Sequence, residues 1–418
     1  MKYFKFLGSL FLCFFILLSD LRSQELQGRQ SLLIRDLIRD GFENVGVKQE
    51  KGDVYVFYEN RAYRWEIDGL TRVLNHTANF FGDTTILHIV PLHDQVPVTV
   101  VTTKVGDYKK TLTQQMANDL SVHAIRVELN TDSVSSVSKG IRLQNKSAKR
   151  IDLIFLPGFR VQLGNFDNPV EWQFSISPIL QSSLWKGNLL TAQLFIPLHN
   201  SLQQSFEGNT RLETATINQL FRLPKNVFIN VSSGIFSFRN KIDSYADYKR
   251  YGFVSDMRKY FLNGRICAGG YLGLTGYITY SSGYFNYWPL EKINYALYCE
   301  YRNPTYDFTT RLTAGKFLYD DLAVRVDLSR QFRELNLGLF VIKSEFGTVG
   351  GFNFIIPISP KKLMKPSSFR VNLAKYFNWE FRESTVDPSA ATLNTNYDIN
   401  ETVRNLNPDF IKKQLLTH

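Results

Sequence analysis

"AVRVDLSRQFRELNLGLFVI", residues 323–342, decides the fold class of this 418-residue chain. Val324, Val326 and Leu328 share one parity, and Arg325, Asp327 and Ser329 share the other. After a charged reset at Arg333-Glu334 the alternation resumes with Leu335, Leu337, Leu339 and Val341. Successive side chains of a strand point to opposite faces, so each run predicts a strand with one apolar and one polar face. The reset predicts a tight hairpin turn. Alone, the hairpin fits two settings. In a soluble sandwich the apolar face covers a core; in a membrane barrel it faces lipid while the polar face lines a lumen.

The surrounding chain favours the barrel. From Ile151 to about Ile358 it carries runs rich in Phe, Tyr, Leu and Thr, with no convincing helix. About twelve such runs are predicted. They start near residues 151, 170, 188, 211, 226, 247, 264, 290, 305, 321, 335 and 348. The connections after the second, fourth, sixth, eighth and tenth runs are tight: "WKGN", "LPKN", "LNGR", "RNPT" and "FREL". Those after the first, third, fifth and seventh are longer, as in "HNSLQQSFEGNT", "RNKIDSYADYK" and "SSGYFNYWPLE", whereas the last two outer connections, near Tyr319-Asp320 and Phe346-Gly347, are short. Short turns on one side and longer loops on the other are the habit of outer-membrane barrels; a sandwich has no reason to sort loops by parity. Aromatics at run ends, among them Trp172, Trp185, Tyr260, Trp288, Tyr301 and Phe317, fit an interfacial girdle.

The N-terminus supplies an export context. Lys2 and Lys5 precede an apolar run from Phe6 to Leu18 and a polar stretch reaching Ser23, the layout of a secretory leader, so residues 1–23 are expected to be cleaved. The run falls short of the ~20 residues that span a bilayer. Cys13 lacks the small preceding residue of a lipoprotein site. No later stretch stays apolar long enough for a transmembrane helix, so a membrane-spanning mature protein would have to be a barrel. The net charge of +11, +9 once the leader is removed, is spread along the chain. It suits acidic polymers or lipid headgroups, while nucleic acid is a poor partner for an exported protein. Cys267 and Cys299 could pair in an oxidising compartment, but two isolated core residues are the simpler expectation.

Residues 24–149 predict a small α/β domain. Leu33, Ile34, Leu37 and Ile38 line one helical face ending at Gly41. Val45 and Val47, a turn at Lys51-Gly52, then Val54, Val56 and Tyr58 form a hairpin. A helix from Trp65 through Leu74 and strands in "TILHIVPL" and "VPVTVVTTKV" follow. Residues 150–360 are the predicted barrel of about twelve strands. Residues 361–418 are expected as a periplasmic segment and exposed tail, with the strand-like 369–377 left outside the barrel.

Several stretches resemble the YjbH-like family of outer-membrane proteins associated with exopolysaccharide and capsule production. "GFENVGVKQEKGDVYVFYENRAYRWEIDGLTRVL", residues 41–74, is the most specific; "FLPGFRVQLGNFDNPVEWQFSISPIL", "YRNPTYDFTTRLTAGKFLYDDLAVRVDLSRQFRELNLGLFV" and "GGFNFIIPI" extend the likeness. Larger members look like two barrels in tandem, and this chain has room for one. The resemblance implies a non-catalytic part in exporting or assembling an extracellular polysaccharide, in the outer membrane of a Gram-negative bacterium with the N-terminal domain in the periplasm. The implied partners are lipid, lipopolysaccharide, the polysaccharide and periplasmic export proteins. Within its best-matching segment Glu59, Asn60, Arg61, Tyr63 and Arg64 have two readings: a docking surface for a periplasmic partner or glycan, or a strand end and helix start held by local hydrogen bonds with Asn60 as a cap. Arg325, Asp327, Arg311 and Asp307 are the expected lumen-lining residues.

No cofactor, metal site or catalytic residue is expected. His88 and His93 have only Asp94 beside them, short of a zinc site. His199 and Ser201 in "LHNSL" resemble the pair of the outer-membrane phospholipase, but a serine nucleophile needs a third, orienting group and Asn200 faces the wrong way. A phospholipase-type hydrolase and a passive porin are therefore the alternatives to export.

Overall fold

The structure, a computed structural model, describes residues 28–112, 124–163, 169–202, 208–239, 249–281, 284–382 and 390–417. The expected leader lies outside the described residues. The chain is mainly β, in two sheets. No described helix is long and apolar enough to cross a membrane, which says nothing of strands.

The first sheet and its helices are built from the elements expected of residues 24–149, with three additions. Helix α1 (28–40) buries Leu33, Ile34 and Leu37. Strands β1 (Glu43–Glu50) and β2 (Asp53–Glu59) form a hairpin whose turn takes positive φ at Lys51 and Gly52. From β2 the chain crosses through α2 (Glu66–Phe80) into β3 (Ile86–His93), which pairs parallel to β2 as a crossover helix requires. Strands β4 (Val96–Pro97) and β5 (Val100–Lys104), helix α3 (Val105–Leu112), strand β6 (Ile125–Glu128) and helix α4 (Ser135–Lys139) complete it. Strand order is β1-β2-β3-β5-β6, with β4 on β3. Helices α3 and α4 and strand β6 were not anticipated from the sequence.

The second sheet contains all twelve expected runs, each starting within three residues of its expected position. They are β7 (Ile151–Leu163), β8 (Val170–Ser182), β9 (Asn188–Asn200), β10 (Arg211–Leu223), β11 (Val227–Arg239), β12 (Lys249–Phe261), β13 (Ile266–Ser281), β15 (Lys292–Asn303), β16 (Phe308–Lys316), β17 (Leu322–Phe332), β18 (Leu335–Ser344) and β19 (Thr348–Pro357). The short β14 (Tyr284–Tyr287) extends β13 within an expected loop. Chain neighbours pair antiparallel throughout, and Phe332↔Leu335 closes the hairpin of the opening stretch, with Arg333 at φ 54° in its turn.

Beyond β19 the structure corrects two expectations. Segment 369–377 does not stand apart: β20 (Phe369–Leu373) pairs parallel with β7, and β21 (Tyr376–Arg382) pairs antiparallel with β19. One segment thus reaches both ends of the twelve-strand run. The path still has two ends, β20 and β21, and no ladder joins them. Nor is the C-terminus an exposed tail. Strand β22 (Thr392–Asn394) pairs with β11 at Ser237–Arg239, and helices α5 (Ile399–Asn405) and α6 (Pro408–Thr417) follow. Ile399, Val403, Leu406, Phe410 and Ile411 are buried in the core of the small domain. Asp398 caps α5 by accepting from Asn400 N at 2.9 Å, and Pro408 occupies the first turn of α6, where its missing N–H costs nothing.

The two faces of the large sheet are inverted relative to a soluble sandwich. Leu339 is 64% exposed and Asn336, three residues away on the same strand, 6%. On β8, Val170, Trp172 and Phe174 are exposed while Glu171, Gln173, Ser175 and Ser177 are buried. The bare face is apolar and the covered face polar. Register also settles the cysteines: Cys267 stands opposite Glu300 and Cys299 opposite Ala268, so they lie on different faces, Cys267 buried and Cys299 exposed, both free.

Candidate functional site

The run Glu59–Arg64 leaves the end of β2 and forms the junction of the molecule. Asn60 shapes the turn into α2: its Oδ1 accepts from Tyr63 N at 2.9 Å and its Nδ2 donates to Tyr63 O at 3.1 Å. Asn60 therefore braces the approach to α2 by local hydrogen bonds; the N-cap position itself is Trp65, whose side chain makes no capping bond. Gly69 keeps room for it, since a Cβ there would stand 2.8 Å from Asn60 Cγ.

Arg61 is the centre. Its guanidinium reaches Glu59 at 2.8 Å, Asp94 at 2.9 Å, Asp152 at 3.2 Å and Glu43 at 3.6 Å. Glu43 also meets Arg150 at 2.7 Å, and Asp152 meets Arg370 at 2.7 Å. Four carboxylates from both sheets thus share three guanidiniums, and Arg370 also donates to Arg61 O at 3.1 Å. Burial raises the carboxyl of Glu43 and that of Asp94 above the usual range. Burial pushes Glu59 the same way, but the adjacent Arg61 outweighs it and holds Glu59 below its usual value. An arrangement of this kind resists loss of its one shared cation.

Its neighbours clamp the sheets together. Arg64 makes a bidentate pair with Glu334, in the β17–β18 turn, at 2.6 and 2.8 Å, and donates to Ser359 O. Backbone bonds run from Arg64 N to Lys361 O at 3.0 Å and from Leu363 N to Ala62 O at 2.8 Å. Tyr63 Oη donates to Asp40 at 2.9 Å, and Lys362 meets the same carboxylate at 2.7 Å. Elsewhere along this junction Arg222 of β10 donates to Pro97 O and Val98 O at 2.7 Å, and Asn263 bonds Leu129 N and Val127 O at 2.9 Å. Of the five residues with two readings, Glu59, Asn60 and Tyr63 are buried, and all five are engaged within the chain. A cavity of about 360 Å³ opens beside Arg61, bordered by His93, Arg370, Tyr376, Tyr397 and Glu401.

The four expected lining residues do not form one group. Arg325 and Asp327 lie on the covered face, paired at 2.7 Å; Arg325 also reaches Glu380 of β21 at 2.9 Å and lies 4.2 Å from the Phe340 ring. Arg311, in register with Asp327, sits over Tyr298 at 4.1 Å. Asp307 is instead in the β15–β16 turn, at φ 51°, buried against Arg302 at 3.4 Å and Lys413 at 2.7 Å. A turn residue ahead of a strand has no fixed parity, so the face of Asp307 is set by its contacts and not by alternation. Glu380 and the contacts of the C-terminal segment were not foreseen; the i, i+4, i+7 spacing of Ile399, Val403 and Leu406 was the available signal.

The other candidates stand apart. His199 is exposed and stacks on Trp172 at 3.9 Å, and Ser201 bonds the Trp172 backbone. His88 faces Thr102 at 3.0 Å and Asp53 at 3.3 Å; His93 faces Thr402 at 3.3 Å and Asp94 at 3.6 Å. No group of metal-ligating residues occurs among the described residues.

Residues 19–219 match the model of the YjbH family, described as exopolysaccharide biosynthesis protein YbjH. This is the family whose likeness the 41–74 segment carries. No curated protein matches the chain.

Proposed function

We propose, from the premise that residues 19–219 are those of the exopolysaccharide-biosynthesis family YjbH, that this protein is a Gram-negative outer-membrane β-barrel with a non-catalytic part in exporting or assembling an extracellular polysaccharide. The observation that carries the membrane part is the inverted large sheet, apolar where bare and polar where covered. In water, exposing Leu337, Leu339, Val341, Leu272 and Leu297 forgoes roughly 25 cal/mol for each Å² left unburied; in hydrocarbon that penalty vanishes.

Closure is supported by strand direction. Strands that alternate up and down bring the first and last together parallel only when their number is odd. Pairing of β20 with β7 is parallel, so 369–382 reads as a bent thirteenth wall strand, with Ala374 N still donating to Phe155 O at 2.9 Å and Trp379 Nε1 to Phe159 O at 2.8 Å. This departs from the even count usual in bacterial single-chain barrels. The tight-turn end, where the small domain packs, would face the periplasm.

A passive porin fits less well, because residues 390–417 lie against the polar face. The hydrolase reading has no support in the contacts of His199 and Ser201, which are to the ring and the backbone of Trp172 and include no orienting carboxylate among the described residues. The test is a chromosomal deletion complemented by the intact gene. We expect surface polysaccharide to be lost and then restored; a deletion strain with normal surface polysaccharide would overturn the reading.

A further inference from the structure

The polar face of the large sheet has two chemistries. Across β12 to β21 it is charged: Arg250, Arg258, Arg302, Arg325 and Asp327. Across β9 to β11 the buried side chains Thr191, Gln193, Thr214, Thr216, Asn218 and Ser232 offer only hydroxyls and amides. Register places Thr191 beside Thr216 and Asn218 beside Ser232, so these groups form a continuous strip across three strands.

Residues 392–397, Thr-Leu-Asn-Thr-Asn-Tyr, lie on this strip. Thr216 Oγ1 donates to Thr395 O at 2.9 Å, and Asn218 Nδ2 to the same oxygen at 3.4 Å. Asn396 Nδ2 donates to Gln193 Oε1 at 2.7 Å and to Thr214 Oγ1. The strip is not fully used: Thr191 Oγ1 and Asn230 Oδ1 are buried with no hydrogen-bond partner among the described residues. Burying such atoms unpaired is costly, so the strip has spare capacity for a polar ligand.

We propose that this strip is a track for a neutral, hydroxyl-rich glycan chain, and that residues 392–397 occupy it as an internal surrogate which the glycan displaces. The inference rests on the export reading and names the substrate class. Uncharged donors and acceptors at strand spacing can follow a chain of hydroxyls, whereas an acidic polymer would find its counter-charges off the strip, at Arg250 and Arg258 of the neighbouring β12 and on the strands beyond, Arg222 of β10 being engaged with the small domain. The C-terminal segment is held unevenly. Residues 392–397 have a three-residue ladder to β11, the amide contacts above, Leu393 buried with Phe236 and Val254, and Tyr397 against the small domain's core, while Leu406, Phe410 and Ile411 fix the helices that follow within that core. The surrogate can therefore leave while the helices stay.

The test uses the full-length protein in proteoliposomes, with raffinose as a neutral probe and a glucuronic acid trimer as its charged counterpart, read by swelling. The variant Asn396→Gly removes the grips on Gln193 and Thr214 while sparing the positive φ at that position. Loss of two hydrogen bonds should raise raffinose entry on the order of tenfold over wild type. The pair Ser237→Cys, Asn394→Cys, opposite each other in the ladder, should hold entry at the wild-type level until reductant is added. A released variant that still runs as a folded barrel without faster raffinose entry would overturn the proposal. Equal acceleration of both probes would overturn the neutral-glycan assignment. Failure of export itself shows separately, as unchanged surface polysaccharide in the deletion strain.

Discussion

Replacing Arg61 by methionine keeps most of the side-chain volume and removes the cation that Glu43, Glu59, Asp94 and Asp152 share. Breaking a buried ion cluster by taking out one partner costs about 3–5 kcal/mol; Glu43 and Asp152 keep Arg150 and Arg370, while Glu59 and Asp94 are left buried without a guanidinium. We expect Arg61→Met to lower the denaturant midpoint of the small domain by an equivalent amount, and Arg61→Lys to recover only part, since an ammonium cannot serve four carboxylates in a plane. A midpoint unchanged in Arg61→Met would show the cluster to be structurally idle. The sequence marked this residue through its motif and could not show which way it faced. Three of its four partners lie within residues 43–94, but Asp152 begins β7 and its own partner Arg370 is 218 residues further on. Spacing carries no signal for contacts of that range.

Among elements, the join between α1 and the connection preceding β20 depends on Asp40. Burial would raise its carboxyl, but Lys362 and Tyr63 outweigh this and bring it down to about 2 from 3.8. A depressed folded-state value stabilises the join fully above pH 3.8 and loses that stabilisation as pH falls through about 2. Screened by solvent at the half-exposed Lys362, the shift is worth about 1 kcal/mol. We expect hydrogen exchange at Tyr63 to Leu363 to speed up over this acid range in wild type, and Asp40→Asn to show the faster exchange already at neutral pH; an identical profile in both would contradict the linkage. Elements of the large sheet were legible because a period of two, repeated twelve times, outweighs local noise. Segment 369–377 was legible as a strand but not in its place: the chain changes partners at Ala374-Lys375, and a period of two carries no signal for which strands it joins. The C-terminal helices are short, and their apolar stripe reads as helix only once a core is known to receive it.

At the scale of the molecule, the small domain, the polar face and the C-terminal segment form one contact system. Arg302 donates to Arg404 O at 3.1 Å, Gln331 to Asn405 at 3.0 Å, and Arg265 meets Asp409 at 2.7 Å. A chain that spends so many polar contacts on covering its own sheet, and leaves the opposite apolar face bare, needs an apolar surrounding for that face. The central claim is that this surrounding is the outer membrane. Its most direct test is fractionation of the envelope of expressing cells, with gel migration of the protein compared before and after boiling. We expect an outer-membrane band that shifts on heating, as a stable barrel does. A soluble periplasmic band with no shift would contradict the account, and both the lipid-facing assignment of Val324 to Val341 and the export mechanism would fall with it.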